Sequence, residues 1–491
     1  MATSSQERSG SSASGANSAP LGIYAESSSA LKIQELRAER FYLQNGAREL
    51  LYMRGKEQVA AGALEHPYNF HRTAKCSHIR HSADVTVHKS VEHNKAFFGG
   101  LVICGNVWTC PVCAAKVQER RRAEIAQMFD YAYDVLGKKV VMVTITFSHQ
   151  RSDKLKDLMA LFSDALTKFR KPRAYIKLRD KIGYVGLIRS LEITHGDNGW
   201  HPHTHEAWIV DQCVDTEWLR SELVMQWENA CRKAGLWNED VAGAFRQHSI
   251  QITDWCSTSD YLAKQDDSRN WGVDRELAKA SSKHNSKDKK GLHPAGLLKD
   301  YLELSNTKDR MAAGLKWLEY AAAMRGKSQL FWTRGLKDMV GVKDRTDEEL
   351  ALEQDDRAID LARLDKEQWR LVIRAQAKSK VLDAAENGGF TAIEKLIERL
   401  SLEAKRSPVI QTRELDVGEQ IPSESLLLRK KSAEIAHQAS GLAMTDQRAE
   451  IPLSLLALSE REVLLAPRSD DLSRLSSQRQ LVRAPRQSLL E

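Results

Sequence analysis

Three histidines alternate with other residues at the start of a segment rich in apolar residues, HPHTHEAWIV (201–210). This pattern favours a β-strand, in which side chains two apart point to the same face. His203 and His205 can therefore place two imidazoles side by side on one metal ion. The third ligand could be His201, or Glu192 on a preceding strand that the turn GDNGW folds back alongside.

The donor set indicates the kind of metal. One carboxylate and two imidazoles, with the remaining positions open to water or substrate, suit Mg²⁺ or Mn²⁺ more than a closed structural zinc site. The alternative interpretation is that the alternating histidines only line a polar face of a sheet.

Strand and helix patterns alternate around this segment. Further strands are predicted at 138–148, 184–196 and 248–255, with amphipathic helices between and after them. The order β-α-β-β-α-β-α predicts one compact α+β domain over residues 135–270.

The remaining chain is divided by composition. At 491 residues it is long enough for roughly two to four domains. We predict a disordered, Ser-rich arm, a helix with a Cys-rich module, a basic linker, a helical region, and a disordered or partner-binding tail: residues 1–30, 31–134, 271–296, 297–405 and 406–491. Neither a spanning apolar stretch nor a secretory signal occurs in the sequence, so we expect a cytoplasmic protein without membrane contact.

Cysteines are concentrated before the predicted sheet. Seven cysteines without a secretory signal favour metal binding or simple burial over disulfides. Cys110-Pro-Val-Cys113 has the spacing with which two thiolates bind one structural Zn²⁺, with Cys104 and Cys76 completing four ligands. Three nearby histidines could take the place of Cys76: His78, His81 and His93.

Tyr261 and Lys264 follow the last predicted strand at the start of a helical pattern. Residues three apart share a helical face, so the ammonium could favour the phenolate or neutralise a phosphate oxygen. Tyrosine is a weak nucleophile at its ordinary pKa of about 10 and needs such help. Taken alone, Tyr-x-x-Lys is usually a surface pair.

The three patterns together resemble a known set of motifs. The Thr-rich strand Val143–Thr146, the His-x-His strand and the later Tyr-x-x-Lys helix look like the three motifs of the HUH endonucleases. Within these, the chain resembles the plasmid rolling-circle replication initiators, whose first motif follows a segment similar to LVICGNVWTCPVCAAKVQERRRAEI. The resemblance covers about residues 70–270.

This resemblance implies an antiparallel sheet flanked by helices, with His203 and His205 as metal ligands and Tyr261 as nucleophile. The tyrosine would attack the phosphodiester at a plasmid origin, giving a 5′-phosphotyrosyl link and a free 3′-hydroxyl that a host polymerase extends. Lys264 and the metal would stabilise the developing charge.

The chain departs from the family at two points. Thr204 and Glu206 stand where the family usually has bulky apolar residues, and Ser257 stands where some relatives carry a glutamate or a second tyrosine. Termination would then depend on Asp254, Asp260 or a second subunit.

Basic residues indicate where DNA could bind. A net charge of +7 is only weak evidence for a polyanionic partner, so the local clusters matter more. The predicted phosphate contacts are Arg120, Arg121, Arg122, Lys171 and Arg173. Trp200, beside the histidines, is expected to stack on an unpaired base.

Other functions remain open at this stage. A relaxase or transposase of the same nuclease class is the nearest alternative, but no GxxxxGK[ST] phosphate loop occurs, which favours an initiator that uses a host helicase. A non-catalytic, zinc-bearing DNA-binding regulator would bind the origin without cleaving it. A metal-dependent hydrolase of small molecules would not need Tyr261.

Overall fold

Eight strands occur within residues 30–254, 292–353 and 357–406, the parts of the chain that our computed structural model describes. They are β1 (Val85–Ser90), β2 (Ala96–Gly99), β3 (Lys139–Ile145), β4 (Gly186–Gly196), β5 (Gly199–Val210), β6 (Ile250–Thr253), β7 (Leu330–Trp332) and β8 (Ala358–Leu364).

The helices in the same ranges are numbered in chain order. They are α1 (Ala30–Ala60), α2 (Arg72–Lys75), α3 (Pro111–Asp134), α4 (Leu155–Arg170), α5 (Arg173–Lys181), α6 (Thr216–Ala234), α7 (Ala242–His248), α8 (Pro294–Glu303), α9 (Thr307–Ala323), α10 (Leu336–Met339), α11 (Asp347–Leu352), α12 (Lys366–Arg374) and α13 (Lys378–Arg406). None of these helices is long and apolar enough to cross a bilayer.

The larger sheet is antiparallel and has the strand order β6-β3-β5-β4-β7. Its strands β3 to β6 correspond to the four strands predicted from the sequence. The α+β prediction, an antiparallel sheet with flanking helices, is therefore confirmed.

Helices cover the two faces of this sheet differently. One face, which includes Val141, Val143 and Trp208, packs in the same core as the apolar residues of α4 and α6. On the opposite face, Val140, Met142, Ala207 and Ile209 pack with α3. Further along β3 and β5 on that second face lie Thr144 and His205, which are direct cross-strand partners. The part of this face that α3 covers is therefore adjacent, along the same strands, to the part that carries His205.

A second, three-stranded antiparallel sheet has the order β2-β1-β8. Its core includes Val85 and Val87 of β1, Leu364 of β8 and the buried residues of α12 and α13. Residues 297–405 were predicted to be helical, but they supply β7 to the larger sheet and β8 to the smaller one. The Cys-rich region and the C-terminal region thus share one sheet.

Candidate active site and cysteine cluster

Strand β5 carries different residues on its two faces. Thr204, Glu206 and Trp208 are fully buried, whereas His203 and His205 point to the other face and are half-buried. Inside the core, Glu206 accepts hydrogen bonds from Arg170 and from Trp208 Nε1, the latter at 2.9 Å. The polar residues at 204 and 206, where apolar ones were expected, therefore form a satisfied buried network. The histidine face remains separate from the core.

Glu192, His203 and His205 come together on this face. Glu192 is the cross-strand partner of His203, and its Oε2 lies 3.2 Å from His203 Nε2 and 3.1 Å from His205 Nε2. All three possible ligand atoms lie within 4.8 Å of one another. Of the two candidates for the third ligand, the structure places Glu192 in this group.

The other ring nitrogens of the two histidines have hydrogen-bond partners of their own. His203 Nδ1 lies 3.1 Å from the His201 carbonyl oxygen, and His205 Nδ1 lies 3.0 Å from Thr144 Oγ1. A carbonyl can only accept, so His203 donates from Nδ1, and Nε2 is the nitrogen that would bind a metal after losing its proton. Partners of this kind fix the tautomer and orientation of metal-binding histidines.

Pro202 lies where the pairing of β3 with β5 has ended. Proline lacks an N–H and cannot donate in the middle of a sheet. The pairing of β3 with β5 ends at Ile145 opposite Thr204, so Pro202 lies beyond it. The start of β5 therefore pairs through its main chain with β4 alone, and the segment that follows β3 contacts it through side chains, as Thr146 does at His201.

The electrostatics of the group keep Glu192 ionised, the form that binds a cation. Although burial opposes it, His203 and His205 hold the pKa of Glu192 well below its usual value. Burial lowers the pKa of His203, but the Glu192 carboxylate outweighs burial and raises it above the ordinary value. Three protein donors, two imidazoles and one carboxylate, fit a divalent cation that takes its further ligands from water or substrate.

His201 belongs to a neighbouring arrangement. Its Nε2 lies 2.6 Å from Thr146 Oγ1, and its ring lies 4.9 Å from that of His149. Burial and the adjacent histidines lower the pKa of His201 to about 3, so the imidazole is neutral at physiological pH. Its carbonyl orients His203, which makes His201 a supporting residue of the site.

The four cysteines also come together. Cys76 ends α2, Cys104 lies in the loop after β2, and Cys110 and Cys113 lie at the start of α3. Their sulfurs lie 3.5 Å apart for Cys76 and Cys113, 3.6 Å for Cys104 and Cys113, and 3.7 Å for Cys76 and Cys110. A tetrahedral Zn²⁺ with bonds of about 2.3 Å separates its sulfurs by about 3.8 Å.

This geometry fits a closed, four-sulfur zinc site. All four cysteines are buried, and Cys76 occupies the fourth position in preference to the three histidines considered from the sequence. Hydrogen bonds from the other three sulfurs lower the pKa of the Cys76 thiol well below its usual range. Hydrogen bonds among the sulfurs, together with burial, instead raise the pKa of Cys104 and Cys113 well above that range, so a bound Zn²⁺ would be what holds all four as thiolates.

Part of the chain is similar to a known protein family. Residues 102–236 match the sequence profile of a family described as "Replication protein", and this range contains Cys104, Cys110 and Cys113 together with Glu192, His203 and His205. We call this region of similarity, residues 102–236, the Rep domain. The resemblance to Rep proteins drawn from the sequence motifs is confirmed at this level.

Individual relatives agree with the Rep domain. The chain is similar to a "Protein rep" of Streptomyces lividans, with 30% identity over 304 residues that cover 50% of this chain and 64% of that protein. A "Protein rep" of Staphylococcus aureus is 25% identical over 147 residues, 29% of this chain and 58% of that protein.

A "Neomycin resistance protein" of Streptomyces cyanogenus is 32% identical over 171 residues, 28% of this chain and 39% of that protein. The chain thus spans less than two thirds of the length of each of these relatives. No solved structure matches the chain.

The arginines predicted to contact DNA are partly committed within the protein. Arg121 binds Glu124, Asp347 and the Arg345 carbonyl, and Arg120 forms an ion pair with Glu353. These contacts attach the segment around α11 to α3 of the Rep domain. A DNA-binding role for Arg120, Arg121 and Arg122 remains a prediction.

Two other predicted DNA-contact residues are accessible, and one is not. Lys171, directly after α4, and Arg173, the first residue of α5, are both exposed. Trp200 is fully buried, with its ring against His195 and Tyr320, and it has no surface to offer a base. The stacking role predicted for Trp200 is therefore wrong in this structure. Strand alternation explains the result, because Trp200 and the histidines point to opposite faces.

Tyr261 and Lys264 lie outside the described residues. Sequence reasoning did not single out Thr144 as a partner of His205, although the VTIT strand motif contained it. It also missed His293, which lies near enough to Glu192 and His203 to interact electrostatically with both. No local pattern marks His293, because it reaches the site only through the bridge between Leu292 and His195.

Proposed function

We propose that this chain is a plasmid replication initiator that nicks one DNA strand at the origin. The observation that carries the proposal is the open Glu192, His203 and His205 group within a Rep domain. Replication proteins of this family generally act as nicking endonucleases. The chain's resemblance to the HUH enzymes assigns the nucleophile to Tyr261.

The protein residues divide the work as follows. Glu192, His203 and His205 would hold Mg²⁺ or Mn²⁺, while Thr144 and the His201 carbonyl keep the two imidazoles in place. When bound, the cation supplies Lewis-acid polarisation of the scissile phosphate. The placement of the group on a half-buried sheet face lets a DNA strand approach from solvent.

Cleavage of the DNA strand would be a phosphoryl transfer to Tyr261. The Tyr261 oxygen attacks phosphorus and loses its proton, the bond from phosphorus to the 3′-oxygen breaks, and that oxygen leaves and is protonated. The products are a 5′-phosphotyrosyl link and a free 3′-hydroxyl. Lys264 supplies a positive charge for the phosphate oxygens as charge develops.

Chain connectivity is compatible with this assignment. Thr253 in β6 pairs with Met142, two residues from Thr144 in β3. Tyr261 follows Thr253 by eight residues, a length of chain that can span up to roughly 28 Å. The nucleophile can therefore reach a phosphate held beside His205.

The proposed partners follow from the products. The 3′-hydroxyl would prime synthesis by a host DNA polymerase, and a host helicase would open the duplex. Exposed Lys171 and Arg173 are suited to phosphate contacts with origin DNA, which fix register without reading sequence. The cysteine group would hold a structural Zn²⁺ beside this nuclease.

The test compares wild type, Tyr261→Phe and the control Tyr131→Phe with an end-labelled single-stranded origin fragment and Mn²⁺. We expect wild type and the control to cleave the strand and to carry the label on a denaturing gel. Tyr261→Phe should do neither. Equal cleavage by Tyr261→Phe would rule out this nucleophile and favour a metal hydrolase. Origin binding without any cleavage by wild type would favour a DNA-binding regulator.

A further inference from the structure

A lysine is buried beside the cysteine cluster. Lys378 is the first residue of α13, and only 1% of its surface is exposed. Its Nζ donates to Gln44 Oε1 at 2.7 Å and to the Ser77 carbonyl at 3.4 Å, and it lies 4.8 Å from the centre of the Phe41 ring. A buried ammonium is costly unless an opposite charge compensates it.

A carboxylate does not provide that charge. Among the described residues, none of the ion pairs that Asp and Glu side chains make involves Lys378. The nearest anionic groups are the sulfurs of the cluster, since Cys76 and Cys110 both interact electrostatically with Lys378. The cluster is therefore the candidate counter-charge.

Gln44 connects the lysine to the cluster directly. The side chain is fully buried in α1, its carbonyl oxygen accepts from Lys378, and its Nε2 donates to Cys110 Sγ at 3.3 Å. An amide that accepts from an ammonium and donates to a sulfur has the polarity that a thiolate requires. The arrangement forms a chain from Lys378 through Gln44 to Cys110.

A second cation lies on the same helix as Gln44. Arg48 donates from Nε to the Ala74 carbonyl at 3.2 Å, two residues before Cys76, and interacts electrostatically with Cys76 and Cys110. Gln44 and Arg48 are four residues apart, so both side chains point from one face of α1 towards the cluster.

The charges balance when zinc is present. Four thiolates and one Zn²⁺ carry a net charge of −2, and Lys378 and Arg48 together carry +2 when both are protonated. Burial and Arg48 lower the pKa of Lys378 to about 7, whereas the negative charge of Cys76 and Cys110 raises it, so the cluster favours the protonated form. We propose that these two cations neutralise the zinc–thiolate cluster. Bound zinc would then stabilise the contact between the first residue of α13 and the four-cysteine cluster. The inference rests on the proposed zinc site and adds a role for a helix that lies outside the matched Rep domain.

The contacts of α13 indicate which part of the protein loss of zinc would affect. Helix α13 packs against the smaller sheet in the core that includes Val381, Leu382 and Ala385. The preceding helix, α12, also contacts the segment after Cys76. Trp369 Nε1 in α12 donates to the carbonyl oxygen of His78, two residues after Cys76. Loss of zinc would leave Lys378 buried without its counter-charge, and α13 would separate from the cysteine module first at this end.

The test uses full-length wild type, Lys378→Met and the control Lys380→Met, an exposed lysine on the same helix. Zinc affinity is measured by competition with a chromogenic chelator. We expect Lys378→Met to bind zinc about 10–100-fold more weakly, the usual cost of losing an outer-shell partner, and Lys380→Met to match wild type. Lys378→Arg, which keeps the charge, should recover part of the affinity.

Melting temperatures separate this role from simple packing. Methionine should lower the melting temperature of the zinc-loaded protein but raise that of the chelator-treated protein, because the uncompensated ammonium is gone. A shift of equal sign in both states would overturn the proposal, as would an unchanged zinc affinity. If Lys378→Met does not fold, Gln44→Met, which only breaks the bridge, should weaken zinc binding in the same assay.

The failure of the zinc site itself looks different. Metal analysis of the purified wild type should find one zinc per chain that survives gel filtration. Absence of that zinc, together with no uptake on titration, would refute the proposed zinc site. One bound zinc with identical affinity in Lys378→Met would refute only the charge-compensation role.

Discussion

The histidine group and the cysteine group lie in the same unit of the protein but differ in their donor atoms and in their burial. The histidine group has one oxygen and two nitrogen donors, and its side chains are 14–16% exposed. The cysteine group has four sulfur donors that are completely buried. A four-sulfur site has no position left for substrate, whereas the three-residue site does.

This difference separates stability from chemistry. The four cysteines come from α2, a loop and α3, so a metal there would join elements that are distant in sequence. The three donors of the histidine group lie on two adjacent strands that the sheet already holds together. We therefore expect metal at the cysteines to stabilise the fold and metal at the histidines to affect only catalysis.

The largest effect is expected at the cysteines. Cys113→Ser should lose zinc and with it much of a binding free energy of about 10–16 kcal/mol, so the Cys-rich region should not fold. Zinc content and circular dichroism would check this, with exposed Cys213→Ser as the matched control. A Cys113→Ser protein that melts like wild type would break the distinction between the two sites.

Removal of a histidine ligand should have the opposite outcome. His203→Ala should reduce nicking of the origin fragment by 10³-fold or more, about 4 kcal/mol of transition-state stabilisation, because the cation is no longer held. Its melting temperature without added metal should stay within a few degrees of wild type. Near-normal nicking by His203→Ala would show that the cation binds elsewhere.

The buried face of β5 provides a sharper comparison on a single strand. Glu206→Gln should destabilise the protein by roughly 3 kcal/mol, since it leaves Arg170 without its anion while 24% of the arginine side chain remains exposed. Urea unfolding would measure this. Adding Arg170→Met to Glu206→Gln removes the unpaired cation and keeps an amide oxygen that can accept from Trp208 Nε1, so it should recover part of the stability.

The smallest effect is expected from the partner of His205. Thr144→Val removes the hydroxyl at 3.0 Å from His205 Nδ1 but keeps the shape of the side chain. Affinity for Mn²⁺, measured by calorimetry, should fall about 10–100-fold. Cleavage at saturating Mn²⁺ should be nearly unchanged, and a defect that excess Mn²⁺ cannot relieve would assign Thr144 a different role.

The sequence predicted a shared site correctly where the residues of that site are only a few positions apart. Strand alternation predicted the shared face of His203 and His205, and the close spacing of Cys110 and Cys113 predicted their common site. It could also have excluded Trp200 as a base-stacking residue, because residues 200 and 203 point to opposite faces of a strand.

Long-range pairing left no such local signal. Nothing in VTVHKS indicates that it pairs with AIDLARL, because the strands of a sheet are selected by their fit to each other and to a common core. Lys378 had no signal for the same reason, since its partner Gln44 lies 334 residues earlier. The division into a Cys-rich module and a separate helical region followed from reading each segment alone.

The pairing of β1 with β8 also determines how long β1 remains without this partner during synthesis of the chain. About 270 residues separate these strands, so a ribosome adding about 5–20 residues per second needs roughly 15–50 s to produce the second after the first. Throughout that interval one edge of β1 has no partner, and unpaired edges invite contacts with other chains. A message truncated before Leu364 would make this exposure permanent, so damaged transcripts of this gene should yield aggregating fragments.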